Sequence, residues 1–435
     1  MRVTRSRFVL TASLLAALVT PLAANAANTP GVSANSISVG AIVTQSGGLA
    51  ATFKPYLSGV QAYLDYVNAQ GGVHGRTVNL TASLDDGGNP TTTLQDAHTL
   101  ILQDHVFGVV GASTPFFGSA ASYLTSQNVP TFGFSTGVGW DKAKNLFAAY
   151  GSVLNYNAAA PDVAYVATQL KAKTVAFIAL NWGPSQQLCQ AAAKSVASYG
   201  LKVAYTNFSE PILGGSDFTT DVVKMVAAHV NMVMSCMDVT SNLALSRAMN
   251  QDGLSSAYQL WDDGYDRDIL RANATDMKHV YLLSQHVPFE AATQFPNAYP
   301  GVNLYLASMA KYGFSSDEYS DVALQGWMGA NLFVRGLTAA GANPTPTAVI
   351  TAINKITNDT GGPAGGVTTP INWTKAHTTL TSPGCDAFVT TTGSGNNASF
   401  TPAFNKGTHV WICFPLSGKA NIASPSPAPA GSPGA

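Results

Sequence analysis

The chain has 435 residues and carries 22 Lys and Arg against 23 Asp and Glu, a length for two or three domains with a sizeable core and a balance that excludes the basic footprint of a nucleic-acid binder. Charged residues are 10% of the total against a usual roughly 25%, and 46% hydrophobic residues exclude a wholly disordered chain. Polarity comes instead from Ser, Thr, Asn and Gly, which leans towards an exported protein.

Residues 1–26 read as an address. Arg2, Arg5 and Arg7 form a positive start, residues 8–24 are apolar or small apart from three hydroxyls, and Ala24-Asn25-Ala26 fits a cleavage site. A signal peptide cut after Ala26 is therefore expected, leaving 19 basic and 23 acidic residues. No Cys follows it to carry a lipid, and no later stretch reaches the roughly 18 apolar residues that span a bilayer. The expectation is a soluble chain in the periplasm, the cell envelope or outside the cell.

The interior alternates strands and helices. Residues 36–44 form an apolar, β-branched strand, 55–69 a helix stopped by Gly71-Gly72, 77–84 a strand ending in an Asp85-Asp86 turn, and 92–103 a helix. A strand at 106–110, a helix to about 127 and a strand at 131–134 complete a βαβαβαβ unit. The pattern restarts with a helix at 155–170 and strands at 174–180, 202–205, 231–236, 258–261 and 279–283. Helices at 184–198, 218–228 and 241–251 lie between them. Further helices are expected at 297–312, 320–340 and 345–356, then two β-like runs at 387–391 and 410–414 that could pair as a hairpin. Strands separated by helices of this length imply parallel sheets. The fold class is α/β: two doubly wound parallel-sheet lobes with a cleft between them.

In open α/β sheets ligands bind beyond the carboxyl ends of the strands, so those ends carry the candidate site. Gly111-Ala112-Ser113-Thr114-Pro115 and Ser135-Thr136-Gly137 offer hydroxyls and small residues next to helix starts, which suits a carboxylate. Trp182 follows one second-half strand and can wall a pocket. Asp238 and the Asp262-Asp263 pair follow two others, and a carboxylate there can hold an ammonium. The four cysteines Cys189, Cys236, Cys385 and Cys413 suit disulfides in an exported chain. Three pairings are open; Cys189 with Cys236 and Cys385 with Cys413 is expected, each pair lying in one local module. No Cys/His spacing points to a metal, and no cofactor is expected. Residues 421–435 form a Pro/Ser/Ala tail expected to be disordered.

The run from Ser46-Gly47 through Asn68-Ala69-Gln70-Gly71-Gly72-Val73-His74-Gly75, Asp85-Asp86 and Asn89-Pro90 to Val110-Gly111 resembles the first lobe of the branched-chain amino acid binding proteins, type I solute-binding proteins of ABC importers. Ala179-Leu180-Asn181-Trp182-Gly183 and Ser216-Asp217-Phe218 extend the resemblance, which covers about residues 36–356. It implies lobes at 35–152 with 285–357 and at 153–284 with 358–420, joined by a three-crossing hinge. It also implies Ser113, Thr114, Ser135 and Thr136 on a ligand carboxylate, Trp182 and Phe53 against its body, and Asp263 on its ammonium. Trp182 stands where the family commonly has Tyr, and Asp263 is shorter than the usual Glu.

The resulting expectation is a monomeric, non-enzymatic receptor. It would capture an amino acid, amide or small carboxylate by hinge closure and hand it to ABC permease subunits in the membrane. A soluble sensor accessory to a membrane kinase is the alternative. An exported enzyme is disfavoured, since HExxH and Walker A motifs are missing from the sequence.

Overall fold

A computed structural model describes residues 29–153, 160–212, 217–312, 319–380, 384–415 and 419–434; the expected signal peptide lies outside them. The first half runs β1 (Ser36–Val43), α1 (Ala50–Phe53), α2 (Pro55–Asn68), β2 (Thr77–Asp85), α3 (Pro90–Leu102), β3 (Gly108–Ser113), α4 (Gly118–Ser126), β4 (Thr131–Gly133) and β5 (Leu146–Ala148). The second runs α5 (Pro161–Gln169), β6 (Thr174–Leu180), α6 (Gly183–Ser198), β7 (Lys202–Glu210), α7 (Thr219–Ala227), β8 (Met232–Cys236), α8 (Val239–Gln251), β9 (Tyr258–Trp261), α9 (Arg267–Ala272) and β10 (Val280–Ser284). Four helices follow, α10 (Phe289–Gln294), α11 (Pro300–Lys311), α12 (Asp321–Ala340) and α13 (Pro346–Ile353), then β11 (Cys385–Thr392), β12 (Ser399–Ala403) and β13 (Ile412–Cys413).

Two sheets result. The first is ordered β2-β1-β3-β4-β5 and its paired strands are parallel. Its middle strands are buried almost throughout, as expected where helices cover both faces. The second is ordered β12-β11-β10-β9-β8-β6-β7. Its strands from β6 to β10 pair in parallel, and β11 then adds antiparallel to β10. The hairpin expected of the two late β-like runs is corrected here. β11 does meet β13, Cys385 opposite Cys413, but its longer partner is β12, which lies in a Gly- and Asn-rich stretch. Pro402 costs β12 no ladder bond that matters, because the strand is an edge.

The late helices return to the first sheet. α12 is buried over most of its 20 residues and lies along α2. Glycines make that approach possible: a Cβ on Gly59 would sit 1.6 Å from the Ala323 carbonyl oxygen, and one on Gly326 would sit 2.0 Å from that of Tyr56. Beside this seam Asn331 Nδ2 donates to Tyr63 Oη at 2.5 Å, and the Tyr63 and Trp327 rings meet edge to face at 5.1 Å. Both expected disulfides are formed, Cys189 with Cys236 and Cys385 with Cys413. The tail expected to be disordered is laid on the body up to residue 434: Ser426 N donates to Cys413 O at 2.7 Å and Trp411 Nε1 to Pro433 O at 3.0 Å.

Candidate ligand-binding site

A cavity of about 210 Å³ lies between the lobes, at the carboxyl ends of strands from both sheets. Leu49, Thr52 and Phe53 reach it from the connection between β1 and α2, Pro115 from the loop after β3, and Phe134, Ser135 and Thr136 from the loop after β4. The second lobe supplies Leu180 and Trp182 after β6, Ile212 after β7, Met237 and Asp238 after β8, and Asp262 and Asp263 after β9. Pro184, Ser185 and Leu188 of α6 and Cys236 complete the lining, so one disulfide braces a wall of the cavity.

The lobes touch at the cavity. Thr52 Oγ1 donates to Asp263 Oδ2 at 2.9 Å and accepts from Val239 N at 3.4 Å. Nearby, Thr240 Oγ1 donates to Gly48 O at 3.1 Å. The Phe53 and Phe134 rings lie 5.6 Å apart and tilted, and form the apolar face of the first lobe.

Of the residues expected from the sequence, Phe53, Ser135, Thr136, Trp182, Asp238 and Asp263 line the cavity. Ser113 and Thr114 do not. Ser113 is fully buried and its Oγ donates to Phe53 O at 2.9 Å, holding the residue that roofs it. Thr114 is 1% exposed and its Oγ1 accepts from Phe116 N at 3.2 Å, an ordinary turn closure. The Asp85-Asp86 turn is structural: Asp86 accepts from the hydroxyls of Thr44 and Thr93, both at 2.7 Å. Thr52 carried no signal in the sequence, because its partner stands 211 residues away. The apolar wall of Leu180, Leu188, Ile212 and Met237 was equally silent.

The polar groups divide by what already holds them. Asp238 caps α8, accepting from Ser241 N at 3.1 Å and Ser241 Oγ at 2.7 Å, while burial pushes its carboxyl up. Asp263 is held by Thr52 and by Gly264 N at 2.7 Å. Burial still pushes it up to about 7, against the Thr52 bond and with Asp238 adding repulsion. Gly264, at φ +105°, makes the turn that presents this pair. Asp262 is pushed up to about 8 by burial and by Asp263 and Asp238, and its Oδ1 has no hydrogen-bond partner. Ser135 Oγ and Thr136 Oγ1 also lack one. Among the described residues that line the cavity there is no Lys, Arg or His, and no group of three or more His, Cys, Asp and Glu among the described residues could hold a metal ion.

A family model of periplasmic binding proteins matches residues 36–392; no curated protein matches. Solved structures do. A fatty acid ABC transporter substrate-binding protein from Thermomonospora curvata is 17% identical, covering 93% of this chain and 97% of that one with a TM-score of 0.69. A solute-binding protein from R. palustris in complex with 4-hydroxybenzoate is 18% identical, over 85% and 96%, with a TM-score of 0.68. A leucine binding protein from Thermotoga maritima is 16% identical, over 84% and 97%, with a TM-score of 0.67. At such identities the likeness speaks for the fold alone.

Proposed function

Because the chain belongs to the periplasmic binding protein family, we propose that it is an exported solute receptor of an ABC importer. It captures an amino acid or a related small amide or carboxylate by closing two lobes on it, and delivers it to permease subunits in the membrane. The observation that carries this reading is the cavity walled by both lobes at their strand ends. A solute there touches both lobes at once. It therefore favours the closed arrangement by its differential affinity, and no bond is broken.

In this reading the lobes are residues 35–152 with 285–357 and 153–284 with 358–420. Trp182 and Phe53 cover the solute, Ser135 and Thr136 hold its polar end on the first lobe, and Asp263 and Asp238 act on the second. Ser113 and Thr114 serve from beneath, fixing Phe53 and the loop after β3. A thermal-shift panel of the twenty amino acids, small amides and aromatic and aliphatic carboxylates tests the reading. A solute at about 100 times its Kd adds about 2.7 kcal/mol and raises Tm by a few degrees. Folded, ligand-free protein that responds to none of them, nor to any amine, removes the receptor reading.

A further inference from the structure

The charge and hydrogen-bond pattern of the cavity narrows the solute further than its fold does. Resting on the receptor reading above but replacing its solute class, we infer that this cavity takes an apolar primary amine without a carboxylate, an alkyl- or arylalkylamine whose ammonium donates to Asp262.

Three observations converge. The lining holds three carboxyl groups, Asp238, Asp262 and Asp263, and no cationic side chain among its described residues. Each of these carboxyl groups, once ionised, repels a solute carboxylate, in a pocket where such repulsion is poorly screened. Of the three, Asp238 and Asp263 already have both oxygens engaged. Asp262 Oδ1 has no partner, and an unpaired buried acceptor calls for a donor.

The second observation concerns the place where a carboxylate would be expected on the first lobe. Ser113 and Thr114 are buried outside the cavity, beneath Phe53 and the turn at Phe116. Pro115, which does face the cavity, has no N–H to offer. That side is covered by the Phe53–Phe134 pair, and the side-chain groups it offers, the hydroxyls of Ser135 and Thr136, are neutral. The third is the rest of the wall. Trp182, Leu188, Ile212 and Met237 surround the solute body with apolar surface. An indole and a phenyl ring also suit a cation near their faces.

Matched probes separate the possibilities because they share a body and differ in charge. Phenethylamine, phenylalanine and 3-phenylpropionate form one set; isoamylamine, leucine and 4-methylvalerate form another. Calorimetric titration of the mature protein at pH 7 is expected to give the amine at least about tenfold tighter than the zwitterion, with the carboxylate weakest. A zwitterion or carboxylate that matches or beats its amine overturns the amine class and leaves the receptor standing. Failure of all six probes overturns the amine class; failure of the wider panel as well removes the receptor.

Asp262→Asn is expected to weaken amine binding about tenfold or more while the circular dichroism spectrum is kept. An unchanged amine Kd in the folded variant overturns the assignment. If the variant does not fold, the wild-type protein answers instead. Asp262 is protonated in the empty cavity at pH 6, and an arriving ammonium drives its proton off. Titrations in two buffers of different ionisation enthalpy are expected to show proton release with the amine. No release overturns the proposal.

Discussion

Asp262 and Asp263 set the acid–base behaviour of the fold as well as of the cavity. A carboxyl whose folded value lies above its unfolded one favours folding below the unfolded value and loses that contribution as pH rises through the folded one. With Asp262 at about 8, Asp263 at about 7 and Asp266 at about 6, stability falls between about pH 4 and pH 8. His286 opposes this. Burial pushes it down to about 4, so its contribution is whole above its ordinary value of about 6.5 and fades as pH falls towards 4. His377, also at about 4, acts the same way. The acids outnumber the histidines, so Tm is expected to be several degrees higher at pH 5 than at pH 8. Asp262→Asn flattens that slope and adds on the order of a few kcal/mol at pH 8, read from urea unfolding at both pH values; a variant as pH-sensitive as the parent refutes this. Residue by residue, the lining of the candidate cavity was legible where strand ends announce it: Trp182, Asp238, Asp263, Ser135 and Thr136 all line it. What stayed hidden was whatever depends on a distant partner. Thr52 acquires its place only when Asp263 arrives, and Ser113 is turned away because it bonds Phe53 O.

Long, apolar, β-branched elements declared themselves, and short ones did not. β1 and β6 are buried runs rich in β-branched residues. β5, with three residues, and α1, with four, have too little length for any period to show. β12 was masked by its Pro and by the Gly/Asn stretch before it, since its strand character comes from pairing with β11. The pairing of α2 with α12 gives a sharp test. Gly59→Ala pushes a methyl into the Ala323 carbonyl, a clash with backbone, and is expected to cost at least about 3 kcal/mol by chemical denaturation. A cost under about 1 kcal/mol would mean the helices are not so close. At the other end of the chain, the Cys385–Cys413 bond closes a 28-residue separation and ties β13 to β11. Replacing both by Ser is expected to remove about 3 kcal/mol, again from urea unfolding. Because β11 keeps β10 and β12 as neighbours, solute affinity should change little.

For the whole molecule, the two-lobe α/β architecture was readable because the βαβ pattern stops and restarts around residue 150. The added antiparallel strands on the second sheet were not. Beside the cavity the lobes are linked by Thr52 to Asp263 and Val239, and by Thr240 to Gly48. Thr52→Val keeps the volume and removes the bonds. It is expected to shift the solute-free protein towards open forms, raising the radius of gyration by X-ray scattering, and to weaken solute binding severalfold. Identical scattering curves for variant and parent would show that these links do not hold the lobes together.

The seam between α2 and α12 also bears on how the chain is made. Tyr63 and Asn331 stand 268 residues apart. A ribosome delivers Tyr63 long before its partner, so the first lobe waits, half-covered, while residues 153–284 of the second are made. Contacts of that span slow folding, and an unfinished lobe exposes the apolar face that α12 later covers. That delay makes the interval before α12 emerges the time at which a chaperone has most to shield.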